Sequence, residues 1–583
     1  VQARRLGLLV LCALLLLWRP GILMDDEVVQ AASLTSVMEG HLALRDDLPA
    51  GYGPVLADPV VGQWVVPHPG DPPAAPIAST MLSVAAVPAL LLLRLAAAAL
   101  GTQGAIALAC IVPWVVAAAW ERKQSLLGRA GRLLPAVPLL FVATPMLWPQ
   151  PAPGSPFLEF AALQLVSLAA HAATAALLWR LLEGRVSANV RLGLVLAYAF
   201  ATPMAFWALS AKYHALATFL LTLAAWLYRD GHRTPVARTF AAFGVAGLAC
   251  WNELVLGLFL AFGLGVVGLR GLRQAPRHWM PRAAAALAGF GLGFLAFVAQ
   301  QHLLRAEGVG PQFPVFATAP PAGAYAVQSL AALEEGGYFS HSLVADPAGG
   351  LSAIAQSLVW TRLSDVDPAF SFLSVAPFVV LAFAALAHRP WRRVLPSDWR
   401  LLAAAYAAVL VLFMGRFLLE PGGGYDIRYA STLWPLLTLL AAPAAQALFA
   451  GVPLRPAARA VAGGVAALLP LAIVPTWALH QALLGYWSDY NHASEHVVLF
   501  RYGGLAVALA ILASLAWARD WSRNLVVAGV ALAFGLQLLL QLTTARYHEP
   551  VVTLPGVAAP FEALHRLVWK ALFTFGGFTV QPD

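Results

Sequence analysis

The stretch RRLGLLVLCALLLLWRPGILMDDEVVQAASLTSVMEGHLAL, residues 4–44, decides how this chain is read. Two arginines precede an apolar run, 6–24, close to the roughly 20 residues that span a bilayer core. Three carboxylates, Asp25, Asp26 and Glu27, stand where that run ends. The residues after them read as an amphipathic helix able to lie flat on the membrane. Acidic groups at a bilayer surface, beside a surface helix, point to a site where lipid meets water and not to a simple anchor. No small-residue cleavage pattern follows Pro20, so residues 1–24 read as an uncleaved signal anchor.

The rest of the chain has the same character. Of its 583 residues, 60% are hydrophobic and 11% charged, with mean hydropathy +0.74. Soluble domains carry about 45–50% apolar and about 25% charged residues. The composition therefore predicts an all-α polytopic membrane protein. Its net charge of +8 comes almost wholly from arginine, since the lysines are Lys123, Lys212 and Lys570. Those arginines sit in short loops and not on a basic soluble face, which argues against nucleic-acid binding. Cys12, Cys110 and Cys250 all lie in apolar runs, which argues against disulfides, a zinc site or a thiol nucleophile.

Charge sets the expected topology. Arg4, Arg5 and the segments 120–132, 180–191, 229–238, 270–282, 389–400, 451–459 and 519–523 hold 24 of the 36 basic residues and five of the 28 acidic ones. Short loops of this kind face the cytoplasm. If 77–100 crossed the bilayer, the loops 120–132 and 180–191 would both fall outside. The run 77–100, interrupted by Pro88 and Arg94, is therefore expected to be re-entrant or interfacial. The expected organisation is a first span, 1–24; an external loop with interfacial helices, 25–102; a bundle, 103–302; a long external loop, 303–369; a second bundle, 370–542; and an external tail, 543–583. The expected spans are 6–24, 103–119, 133–149, 157–179, 191–208, 212–228, 239–250, 252–268, 283–302, 370–388, 401–419, 429–449, 460–478, 501–518 and 524–542, with a total of about 13–16.

Four segments carry a family resemblance. They are DDEVVQAASLTSVMEGHLAL (25–44), PHPGDPPAAPIASTMLSVAAVPALLL (67–92), ATPMAFWALSAKYHALATFLLTLAAWL (201–227) and YDIRYASTLWPLLTLL (425–440). The chain resembles the GT-C superfamily of integral-membrane glycosyltransferases, such as protein O-mannosyltransferases, the lipid A aminoarabinose transferase and mycobacterial arabinofuranosyltransferases. Val28 and Val29 depart from the aromatic that often follows the acidic pair. The resemblance implies a GT-C-like bundle with a large first external loop. It also implies a Thr-Pro bend before an external polar patch, and an Arg-Tyr pair before a Pro-interrupted helix.

It further implies transfer of a sugar from a polyprenyl-phosphate donor to an envelope glycan, lipid or protein at the external face of the plasma membrane, with a cytoplasmic N-terminus. Asp26 and Glu27, with Asp25 beside them, are then the expected catalytic carboxylates. A positioned base accelerates such a step by about 10²–10⁴-fold.

Positive charge must meet the phosphate leaving group. Lys212, in Ala-Lys-Tyr-His with His214, suits that role; the alternative is a snorkelling lysine beside interfacial aromatics. Arg428, with Tyr425 and Asp426 in GGGYDIRYA, suits phosphate or sugar contact, the alternative being a surface ion pair. Asn252 and Glu253, between two apolar runs, would bond sugar hydroxyls or cap a helix. His68 is a further binding candidate, and Trp64, Trp360 and Trp434 could stack on sugar rings. Asp26, Asp58 and His41 are candidate ligands for a divalent cation, although no spacing forces one. The rival functions are a transporter or flippase for a lipid-linked saccharide, and a polysaccharide polymerase or ligase.

Overall fold

The computed structural model describes residues 2–18, 27–44, 80–124, 155–274, 279–309, 372–392, 395–414, 430–450, 490–517 and 519–543, with isolated positions at 20, 48, 49, 52, 73, 150, 151, 552 and 553. The described chain is helical apart from loops and a two-residue antiparallel ladder pairing Gln150 with Thr553 and Pro151 with Val552. In order the helices are α1 (Gln2–Leu17), α2 (Glu27–Met38), α3 (Thr80–Gln124), α4 (Phe157–Leu181), α5 (Ala188–Phe200), α6 (Met204–Leu209), α7 (His214–Leu227), α8 (Val236–Asn252) and α9 (Leu254–Gln274). They continue with α10 (Trp279–Ala306), α11 (Phe372–Val375), α12 (Val380–Ala387), α13 (Arg389–Arg392), α14 (Ser397–Met414), α15 (Leu433–Phe449), α16 (Tyr490–Trp517) and α17 (Arg519–Thr543). The expected spans 133–149 and 460–478 lie outside the described residues.

Three helical stretches are long and apolar enough to cross a membrane: Thr80–Trp120, Phe157–Leu181 and Trp279–Ala306. Shorter apolar helices accompany them, α5, α7 and α15 included. Leucines crowd outer faces: Leu92 and Leu95 on α3 and Leu287 and Leu292 on α10 are exposed. Lipid tails are as apolar as leucine, so such faces suit hydrocarbon and not water. The described residues thus form a predominantly helical, membrane-associated bundle.

Helix α3 is two limbs. A straight helix of 41 residues would reach about 60 Å, twice the thickness of a hydrocarbon core. Gly101, at φ 74° and ψ 165°, breaks it. No other residue adopts that backbone as cheaply. The first limb buries Leu82, Ala86, Leu90 and Leu93 along one face. Its polar anchors are all at one end of the bundle. Thr80 accepts from Trp251 Nε1 at 3.0 Å in the last turn of α8, and Arg94 meets Glu159 at 2.7 Å in the first turn of α4.

Helix α2 corrects the expectation of a surface helix. Glu27 through Ser36 are all buried, polar residues included. The protein satisfies the polar groups that were expected to face water. Gln30 Nε2 donates to Ser83 Oγ at 2.6 Å, Ser83 Oγ donates to Ser33 Oγ at 3.1 Å, and Thr35 shares a 2.8 Å hydrogen bond with Tyr52. These bonds satisfy the hydroxyls and the Gln30 amide nitrogen inside the core.

Two expected spans are broken. The run 191–208 divides into α5 and α6 at Thr202–Pro203, where Thr202 Oγ1 bonds Tyr198 O at 2.7 Å. The run 370–388 becomes α11, a 3-10 turn at Pro377–Val379, and α12. Proline removes a backbone donor in each case.

Helices α8 and α10 meet backbone to backbone. A Cβ at Gly247 would strike Phe290 O and come within 2.7 Å of Phe294 N. One at Gly293 would strike Gly244 O and come within 2.7 Å of Leu248 N. Gly289 faces Phe240 O in the same way. Small residues let helices in lipid approach this closely.

Antiparallel succession gives the bundle two ends. The loops 182–187 and 228–235 stand at one end with the start of α14: Arg185 stacks over Trp399 at 4.2 Å, and Trp399 Nε1 donates to Arg229 O at 3.3 Å. The start of α2, the loop 210–213 and Glu253 stand at the other. Helix α7 alone separates these ends by about 20 Å.

Candidate functional site

The second end holds the candidate site. Its centre is the break between α6 and α7. Ser210 turns the chain out of α6 with an extended backbone, φ −86° and ψ 156°. The polar backbone atoms this exposes are met by side chains. Glu27 Oε1 accepts from Ala211 N at 3.1 Å, Ser210 Oγ accepts from Lys212 N at 3.3 Å, and Ser167 Oγ donates to Lys212 O at 3.1 Å. A buried break needs such partners.

Glu27 and Lys212 therefore come together although 184 residues separate Glu27 from Ala211. Glu27 is fully buried, in the first turn of α2, where the helix dipole favours an anion. Lys212 is buried, with Nζ 5.6 Å from the centre of the Trp207 ring. His214 is buried edge-on to Trp207 at 4.8 Å and lies against Tyr213 at 4.5 Å.

Glu253 completes the group. It is the single extended residue between α8 and α9, at φ −155° and ψ 107°. Its amide donates to Ala249 O at 2.8 Å and its carbonyl accepts from Gly257 N at 3.0 Å, so the two helices share one residue as stop and start. Gly257 is fixed by this turn, since a Cβ there would press on Cys250 Sγ at 2.6 Å. The Glu253 carboxylate bonds the Tyr213 side chain, and Tyr406, whose hydroxyl is 2.6 Å from Thr432 Oγ1, lies within its electrostatic reach. Asn252 is buried beside it in the last turn of α8.

His41 is part-buried, just before a carboxylate clamp. Glu307, past the end of α10, accepts from Leu42 N at 2.9 Å and from Ala43 N at 2.7 Å. Among the described residues no three His, Cys, Asp or Glu side chains gather as a metal site. Trp434 corrects an expectation. It is fully buried and lies against Phe372 at 5.0 Å, so it is a core residue and not a sugar platform. Asp25, Asp26, Asp58, Trp64, His68, Trp360, Tyr425, Asp426 and Arg428 lie outside the described residues.

Sequence reasoning missed Ser167, Tyr406, Thr432 and the Gln30–Ser33–Ser83 set. The available signal was polar side chains at helical spacing inside apolar runs, as in Gln164, Ser167 and His171 on α4. Comparison with family models, with curated proteins and with solved structures finds no match.

Proposed function

We propose that this chain is an integral-membrane glycosyltransferase that takes a sugar from a polyprenyl-phosphate donor and works at the external face, at the bundle end opposite its arginine loops. The observation that carries the reading is the hydrogen bond from Ala211 N to Glu27. It joins the acidic start of the first loop to the Ala-Lys-Tyr-His turn. A carboxylate, an ammonium and aromatic rings then share one rim beside lipid-facing helices.

In the proposed step the acceptor oxygen attacks the anomeric carbon and the bond from that carbon to the phosphate oxygen breaks. The acceptor proton passes to Asp26, and the electron pair leaves with polyprenyl phosphate, whose charge Lys212 offsets. Glu27 is a positioning residue, because one of its oxygens already holds the 211 amide. Glu253 and Tyr213 suit contact with sugar hydroxyls.

The flippase reading draws on the buried polar line of α4. Its members are engaged within the protein: Gln164 by Trp18 Nε1 at 3.0 Å, His171 by Ala199 O at 3.1 Å and Thr174 by Ala170 O at 2.9 Å. That pattern favours a packed seam over a conduit. The test is the purified full chain in vesicles with labelled polyprenyl-phosphate sugars and candidate acceptors. Transfer of label with release of polyprenyl phosphate is expected. Movement of donor between leaflets without transfer would establish the rival.

A further inference from the structure

The opposite end of the bundle carries a feature the proposed reaction does not use. Four guanidinium groups, Arg185, Arg229, Arg238 and Arg270, crowd around two carboxylates, Asp230 and Asp398. Arg238 holds Asp230 at 2.8 Å and also donates to Trp226 O at 3.0 Å. Arg229 reaches the same carboxylate at 3.9 Å, and Arg270 reaches Asp398 at 3.4 Å. Asp398 in turn lies against Gly231. Four cations against two anions leave a surplus of two positive charges among these residues.

The arginines are also mounted on indoles. Arg185 covers Trp399 at 4.2 Å, while Arg229 and Arg238 stand 5.7 Å and 5.8 Å from the centre of Trp226. Stacking leaves the donor edges of a guanidinium available to phosphate oxygens. Burial lowers the Arg185 pKa, Asp230 offsets part of that, and the charge of Arg229 adds a smaller lowering.

Apolar residues begin one turn away. Val236 and Phe240 at the start of α8, Leu269 near the end of α9 and Met280 at the start of α10 are exposed. A soluble phosphate would use the cations alone. A phospholipid would use both, its headgroup on the arginines and its chains along Phe240 and Leu269. Tryptophan and arginine at such a level suit the headgroup region of a bilayer.

We propose that the loops 182–187 and 228–235, with the start of α14, form a binding site for the phosphate headgroup of an anionic bilayer phospholipid, with Arg185 and Arg229 as its principal contacts. The site is independent of the glycosyltransferase reading, so its test leaves that reading untouched.

The experiment uses the purified full chain in nanodiscs of phosphatidylcholine, with and without one fifth phosphatidylglycerol. Thermal unfolding is followed in both, and native mass spectrometry counts retained lipid. The anionic lipid is expected to raise the unfolding midpoint and to co-purify. Arg229→Gln and Arg185→Gln together should weaken retention about 30-fold, taking each cation at its usual worth near a charged surface. Arg229→Gln alone, at a half-exposed position, keeps the test open if the double variant does not fold, and should give a smaller drop. Equal stabilisation by inorganic phosphate in neutral nanodiscs would overturn the lipid assignment. A double or single variant that keeps the full rise would overturn the residues named.

Discussion

Asp26→Asn will lower sugar transfer by about 10²–10⁴-fold while leaving the unfolding transition unchanged. The asparagine keeps the size of the side chain and removes its ability to take a proton. Glu27 will behave differently. Its carboxylate is buried and accepts from Ala211 N at 3.1 Å. Glu27→Ala leaves that amide without its acceptor inside the bundle and should cost about 2–3 kcal/mol of stability, read by denaturant or thermal unfolding. Glu27→Gln retains an acceptor oxygen and should cost less than about 1 kcal/mol. The two residues thus separate chemistry from support. Full turnover in Asp26→Asn would remove it as the base. Equal stability of Glu27→Ala and the parent would remove the strut.

The second large effect is structural. Gly293→Leu should cost at least about 3 kcal/mol, because its Cβ alone meets backbone and backbone cannot rotate aside. The clash falls on Gly244 O and Leu248 N, so α8 and α10 must separate along their whole contact. Gly291, two residues earlier, has open space around its Cβ position, and Gly291→Ala should be neutral or slightly stabilising. Thermal unfolding of both variants in the same detergent makes the comparison. A well-folded Gly293→Leu would mean that the glycine contact contributes little.

Much of the helical plan was legible. The apolar run 157–179 is helix Phe157–Leu181, and 283–302 lies within Trp279–Ala306, because long hydrophobic stretches in a membrane chain leave few alternatives to helix. Burial was less legible. Gln30, Ser33 and Thr35 look like a wet face until Ser83 and Tyr52 are brought to them, and nothing local to 27–38 announces partners so far along the chain. Trp434 misleads for a related reason. A tryptophan near a helix start suits an interface, and only packing against Phe372 makes it core.

The candidate site was legible as a set of residue types and not as an arrangement. Lys212 and Glu253 stand out as ionisable groups in apolar surroundings. That Tyr213 links one turn to the other depends on how α7 and α8 lie together, which no spacing in the sequence encodes.

The span between Glu27 and its acceptor amide has a consequence for biosynthesis. With 184 residues between them, a ribosome adding roughly 5–20 residues per second needs about 10–40 s to deliver Ala211 after Glu27 has emerged. During that interval the carboxylate lacks this donor, and the contact that ties the second helix to residue 211 cannot form. The rim is therefore assembled late, and slowed or paused translation before residue 211 should leave the second helix accessible to water-borne labels.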